Sequence, residues 1–308
     1  MIHAAIRVNE TVRLRRLFLD YLRPLFPIFC SLLLLWLLTG CASQFLLNPD
    51  GARKALHDQP VRAEYPQQSI EVTNQTGRKL KGIVFSKTGD KGIVLVGGGN
   101  SMGLEQTAHY ASFLLNKGFR VLVYSYQGYD DNEGPASIDS LVPDAMAFYT
   151  YAKQTFSDEK VLLFGASISA ATTACLARNL SPPPPIVIEA IIDPKTIIYS
   201  IAQKNWPLFL IGFPIAWGAA MGVPDSIEPA KCIAAIGSSS NPPPILFVYN
   251  ENDKLAPYST IKSLIDMYKG PKSTKVSSCN LSNGCHMNLY CDKSSREIVI
   301  SFIQDAFL

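Results

Sequence analysis

The sequence predicts an α/β protein, a mostly parallel sheet with helices on both faces. Three observations carry this. The strand-like segments are short, continuous apolar runs rather than alternating ones, as expected of strands covered on both sides. Between them lie stretches with apolar residues at helical spacing. Several runs end in glycine or other small residues, which suits tight strand-to-helix corners.

The elements follow in order. "SIEVTN" and "LKGIVF" flank "QTGRK" and read as a hairpin that gives the sheet antiparallel edge strands. "KGIVLVGGGN" is a strand ending in three glycines, and "LEQTAHYASFLLNKG" a helix stopped by glycine. "FRVLVYSY" is a strand and "SLVPDAMAFYTYAKQTF" a helix. "KVLLFG", "ISAATTACLARNL" and "PIVIEAII" repeat the strand–helix–strand pattern. After an interruption, "PILFVYN" is a strand, while "YSTIKSLIDMYKG" and "SREIVISFIQDAFL" are helices. One folded domain is expected over 67–308.

The interruption, 193–241, is centred on the apolar "WPLFLIGFPIAWGAAMGVP". Pro207, Pro214 and several glycines argue against a clean membrane-spanning helix. Two readings stand: a buried excursion packed on the sheet, or a small apolar cap over a pocket at the strand ends, where open parallel sheets bind ligands.

Residues 1–40 hold five arginines against Glu10 and Asp20, a local charge of +3. Removing these from the totals of 28 basic and 25 acidic residues leaves 23 of each in the remainder. A neutral body offers no electrostatic footprint for nucleic acid, so that class of partner is excluded. The same 1–40 segment has a basic region, an apolar run from Leu25 to Leu38 and then small residues, the layout of an export signal. Leu38-Thr39-Gly40-Cys41 resembles a bacterial lipobox, which implies acylation of Cys41 at a new N-terminus. The alternative is an uncleaved N-terminal membrane anchor. Either one tethers the body to a membrane outside the cytoplasm, through a polar tether at 41–66.

In such a compartment disulfides persist. Cys175, Cys232, Cys279, Cys285 and Cys291 remain in the body, and the last three lie close together in "CNLSNGCHMNLYC". A local bridge is the expectation there. A zinc site using His286 is disfavoured, because adjacent Cys285 and His286 would struggle to reach one ion and C-x-x-C pairs are absent.

The chemistry centres on "GASIS", residues 165–169, one substitution from the G-x-S-x-G turn that presents a nucleophilic serine. An acyl-transfer site also needs a base, an acid to orient it and oxyanion donors. Of four histidines, His3 lies in the signal, His57 in the tether and His109 within the first helix. His286 alone sits in a late loop, between the last strand and the closing helix. Asp253 follows the strand "PILFVYN" in a loop closed by Pro257. Ser167, Asp253 and His286 thus occur in the order nucleophile, acid, base, each after its own strand.

That arrangement resembles the α/β-hydrolase superfamily, over most of the chain from about residue 67 onward. It is most similar to the serine aminopeptidase-like and small esterase or thioesterase branches. Gly128, Tyr129, Gly134 and Pro135 fit a motif of those branches, with Ser125 and Gln127 in place of its charged pair. "NENDKLAP" fits the acid loop, and "GCHMN" the Gly-His loop with one residue inserted. Gly97 stands where the family's histidine precedes the oxyanion loop, and Ser169 where the elbow has its second glycine.

The resemblance implies an α/β-hydrolase fold with a short apolar cap and a Ser167–His286–Asp253 triad. Oxyanion donors would come from Gly99 or Asn100 and from Ile168. No cofactor or metal is implied. The expected activity is a membrane-tethered serine hydrolase acting on a lipid-like or small-molecule ester or thioester with an apolar acyl group; a peptidase or amidase stays open. The alternative is an inactive envelope lipoprotein of the same fold that binds lipid or a partner protein.

Overall fold

A computed structural model describes residues 43, 46–51, 65–86, 91–115, 117–157, 159–204, 216–277 and 286–308. The expected signal, Cys41, most of the tether, Cys279, Cys285 and the centre of the 193–241 insertion lie outside the described residues.

Eight strands form one sheet: β1 (Gln67–Thr73), β2 (Lys79–Phe85), β3 (Ile93–Gly97), β4 (Arg120–Tyr124), β5 (Val161–Ala166), β6 (Ile186–Glu189), β7 (Ile245–Tyr249) and β8 (Lys272–Val276), in the spatial order β1-β2-β4-β3-β5-β6-β7-β8. β2 pairs antiparallel with both β1 and β4, and every other pairing is parallel. The hairpin is present, but only β2 is reversed; β1, at the edge, points the same way as β3–β8. β8 was not expected from the sequence. "KSTKV" has no apolar run to announce it, and as an edge strand it is largely exposed, with lysines of the kind that discourage further pairing.

The helices are α1 (Leu104–Leu115), α2 (Leu141–Thr155), α3 (Ile168–Arg178), α4 (Pro194–Lys204), α5 (Pro229–Gly237), α6 (Tyr258–Met267) and α7 (Lys293–Phe307). Alternate residues of each strand feed two cores. Ile93, Leu95, Leu163, Ile188 and Phe247 pack with α2, α3, α5 and α6. Val94, Val96, Leu162, Val187 and Leu246 pack with α1 and α7 on the opposite face. Both faces being covered, period two yields unbroken apolar runs.

Between β6 and β7, α4 is followed by a helical stretch at 216–221, a short turn at Asp225–Ile227 and α5. α5 packs along α3, and Cys232 on α5 forms a disulfide with Cys175 on α3. Cys291 is disulfide-bonded as well. Among the described residues no group of His, Cys, Asp and Glu is placed to hold a metal ion, and no helix is long and apolar enough to cross a membrane.

Candidate active site

The carboxyl ends of β3, β5, β6 and β7 share one edge of the parallel sheet, and the chemistry-bearing residues gather there. β5 runs into α3 through Ser167, whose φ of 58° and ψ of −118° put a non-glycine residue in a strained corner. Gly165 makes this turn feasible: a Cβ there would meet the backbone carbonyl of Ser169 and the Thr173 hydroxyl. The Ser167 N–H donates to the Glu189 carbonyl at the end of β6 (2.9 Å), which fixes the corner to the next strand.

Asp253 lies in the loop after β7 and is 5% exposed. Its Oδ1 accepts from the N–H groups of Leu255 (2.8 Å) and Ala256 (3.0 Å). That leaves Oδ2 to face His286 Nδ1 at 2.7 Å. On the other side of the ring, Nε2 is 2.8 Å from Ser167 Oγ. With a neutral imidazole, Nδ1–H donates to Asp253 and the Ser167 hydroxyl donates to Nε2. The structure therefore brings Ser167, His286 and Asp253 into one hydrogen-bonded chain, across 119 and 33 residues of sequence.

Gly99 and Asn100 lie in the loop after β3. The Gly99 N–H donates to the Met102 thioether at 3.2 Å, a weak acceptor that a charged oxygen would displace. Asn100 uses its side chain structurally. Its Oδ1 accepts from the Tyr129 hydroxyl (3.0 Å) and from the Asn48 N–H (2.9 Å). Ile168 opens α3, so its N–H belongs to the first turn, whose donors have no partner within the helix. The positive end of the helix dipole points the same way.

Two departures from the family pattern fit each other. A Cβ at Gly97 would lie 2.7 Å from the Ser169 Cβ and strike the Tyr124 hydroxyl. Ser169 thus occupies space that a side chain at 97 would need. Its hydroxyl meets the Tyr126 hydroxyl at 2.7 Å and donates to the Gly98 carbonyl, tying α3 to the end of β3. The missing charged pair is likewise replaced: Gln127 donates to buried Asp144 through its backbone (2.9 Å) and its side chain (3.0 Å), joined by Asn74 (2.7 Å).

Sequence reasoning missed Glu189. Its side chain is 1% exposed, and Oε1 accepts from the Leu289 N–H at 2.9 Å, three residues beyond His286. Burial pushes this carboxyl up to about 8, and the Asp253 charge pushes the same way. Within "PIVIEAII" it looks like one polar residue in a strand, and nothing in the local pattern marks it. Reading missed Leu46–Gly51 as well, because a short polar stretch before the first strand carries no periodic signal.

No family model matches the chain. The uncharacterized protein YfhR of Escherichia coli is 24% identical over 293 residues, covering 92% of this chain and 94% of that protein. Lysophosphatidylserine lipase ABHD12 of Danio rerio is 25% identical over 194 residues, 59% of this chain and 48% of that protein, so the match spans about half of that relative. Among solved structures, a Pyrococcus furiosus esterase, Pf2001, superposes with a TM-score of 0.65 at 14% identity, over 85% of this chain and 98% of that one. A puromycin-hydrolyzing peptidase of Mycobacterium tuberculosis gives 0.57 at 14% identity, over 81% and 40%. With the strand order and the single reversed strand, these likenesses make the fold that of the α/β-hydrolases.

Proposed function

We propose that the chain is a serine hydrolase that cleaves an ester or thioester with an apolar acyl group while tethered to a membrane. The observation that carries this is the hydrogen-bonded chain from Ser167 through His286 to Asp253 at the strand ends. The similarity to a lipase and the shared fold with an esterase support a hydrolase.

Ser167 Oγ attacks the acyl carbonyl while His286 Nε2 takes its proton. Asp253, anchored by two amides, holds the imidazole with Nδ1–H toward itself and stabilises the imidazolium. The amides of Gly99 and Ile168 receive the oxyanion, each such donor being worth about 3 kcal/mol. The imidazolium protonates the leaving group. Water, deprotonated by His286, then hydrolyses the acyl-enzyme and frees Ser167.

Support for the apolar acyl group comes from the insertion after β6, where Trp217 and Met221 stand four apart on one helical stretch, 49% and 55% exposed. Leu255, beside Asp253, is exposed too. Support for export and lipid attachment at Cys41 comes from the leader layout and from the Cys175–Cys232 disulfide, a bond that persists in oxidising compartments.

Hydrolysis of an acyl-ester series of increasing chain length tests the reading. The expected result is a preference for longer acyl chains and a fall in kcat/KM of roughly 10³-fold or more for both Ser167→Ala and Asp253→Asn. Undiminished turnover by folded Ser167→Ala would refute it.

A further inference from the structure

The loop Gly98–Ser101 is held from two sides. Inside, the Ser169 hydroxyl grips the Gly98 carbonyl. Outside, the grip comes from a segment some fifty residues earlier. The Asn48 N–H donates to Asn100 Oδ1 (2.9 Å) and to the Tyr129 hydroxyl (3.2 Å), and that hydroxyl donates to the same Oδ1 (3.0 Å). Asn48 Nδ2 donates to Ser101 Oγ (3.0 Å), and Asn100 Nδ2 donates back to the Leu46 carbonyl. Leu46 and Leu47 are buried in the core beside these bonds, 4% and 7% exposed. The contact is therefore a docked one, with an apolar foot and a polar clasp.

Asn100 adjoins Gly99, whose amide is a proposed oxyanion donor. We propose that residues 46–51 are a positioning strap for the oxyanion loop: by clasping Asn100 they fix the Gly99 amide where it meets the reacting oxygen. The proposal rests on the serine-hydrolase reading above. It gives Asn48 a positioning role, since Asn48 touches Asn100 and Ser101 and acts through them. Undocking the strap therefore slows acyl transfer without touching Ser167, His286 or Asp253.

The test uses the full chain in detergent with two variants. Asn48→Pro removes the N–H that serves Asn100 and Tyr129 together with the side-chain amide that serves Ser101 and Gly51. Ser101→Ala removes only the hydroxyl that accepts from Asn48 Nδ2 and adds no charge beside the loop. Four quantities are read: kcat and KM on an activated ester, affinity for an alkyl boronic acid whose tetrahedral adduct uses the oxyanion donors, melting temperature, and hydrogen exchange of the Gly99–Ser101 amides. For Asn48→Pro the expected result is a fall in kcat of roughly ten- to a hundredfold, as small misplacements of catalytic groups produce. Boronate affinity should weaken by a similar factor, with KM within about twofold. Loop exchange should quicken at an unchanged melting temperature. Ser101→Ala should lie between Asn48→Pro and the unaltered chain in every readout, and it carries the test if the proline variant does not fold.

Unaltered kcat, boronate affinity and loop exchange in either folded variant overturn the strap. So does loss of activity that only tracks the melting temperature. Faster loop exchange in the variants, when the unaltered chain itself hydrolyses nothing and binds no boronate, refutes the hydrolase reading and removes the catalytic role proposed for the strap.

Discussion

Glu189 shows how much a single side chain can join. Its carbonyl holds the Ser167 corner and its carboxyl oxygen holds the turn beyond His286, so Ser167 and the loop carrying His286 are braced by one residue. Oε2 has no hydrogen-bond partner among the described residues. Burial is the main reason its carboxyl rises from 4.5 to about 8, with the Leu289 and Asn288 amides pulling against it. Between those two values the unfolded chain has ionised this group and the folded chain has not. This contribution to stability is therefore full below about pH 4.5 and is lost progressively as pH rises toward 8. Glu189→Gln keeps an acceptor for Leu289 and cannot ionise. Its melting temperature should exceed that of the unaltered protein by a few degrees near pH 8, and the gap should close below about pH 4.5; parallel curves across that range would contradict the assignment. The contrast with Ser167, Asp253 and His286 is instructive. Ser167 and Asp253 stood out in the sequence because each follows a strand in a loop of known pattern, and His286 because it alone of four histidines sits in a late loop. Glu189 acts through burial and a long-range contact, and neither has a local signature. The pairing of Gly97 with Ser169 was hidden similarly: each looked like a separate departure until the chain brought them into contact.

Among elements, the five inner strands were legible as unbroken apolar runs, β1 and β2 through the turn between them, and most helices outside the interruption through helical spacing. β8 was not, since an exposed edge strand is free to be written in lysine, serine and threonine. α5 was absorbed into the apolar interruption, although Pro229 opens it and a buried stripe of Cys232, Ile233 and Ile236 faces α3. The bond between α3 and α5 was also unread, because five body cysteines allow many pairings and the three near His286 drew attention to a local bridge. Cys175 and Cys232 are 57 residues apart and both fully buried. Closing a loop of that length restricts the unfolded chain. Cys175→Ala with Cys232→Ala should lower the unfolding free energy by about 2–4 kcal/mol in urea titrations. Ester turnover by the folded variant should persist, as α3 stays seated through its apolar contacts. Equal stability with and without the bond would contradict this.

At the scale of the whole molecule, a neutral body, an arginine-rich apolar N-terminal segment and an edge of strand ends rich in reactive groups are what the proposed tethered hydrolase joins together. The leader and Cys41 lie outside the described residues, so attachment rests on sequence pattern; the site rests on distances. The central claim is that folding activates Ser167. The most direct measurement treats the full chain in detergent with a fluorophosphonate and maps the adduct by peptide mass. One adduct per chain on Ser167, absent after heat denaturation and absent in Ser167→Ala, is the result expected. A folded chain that stays unlabelled, or labels equally well with Ser167→Ala, would contradict the account.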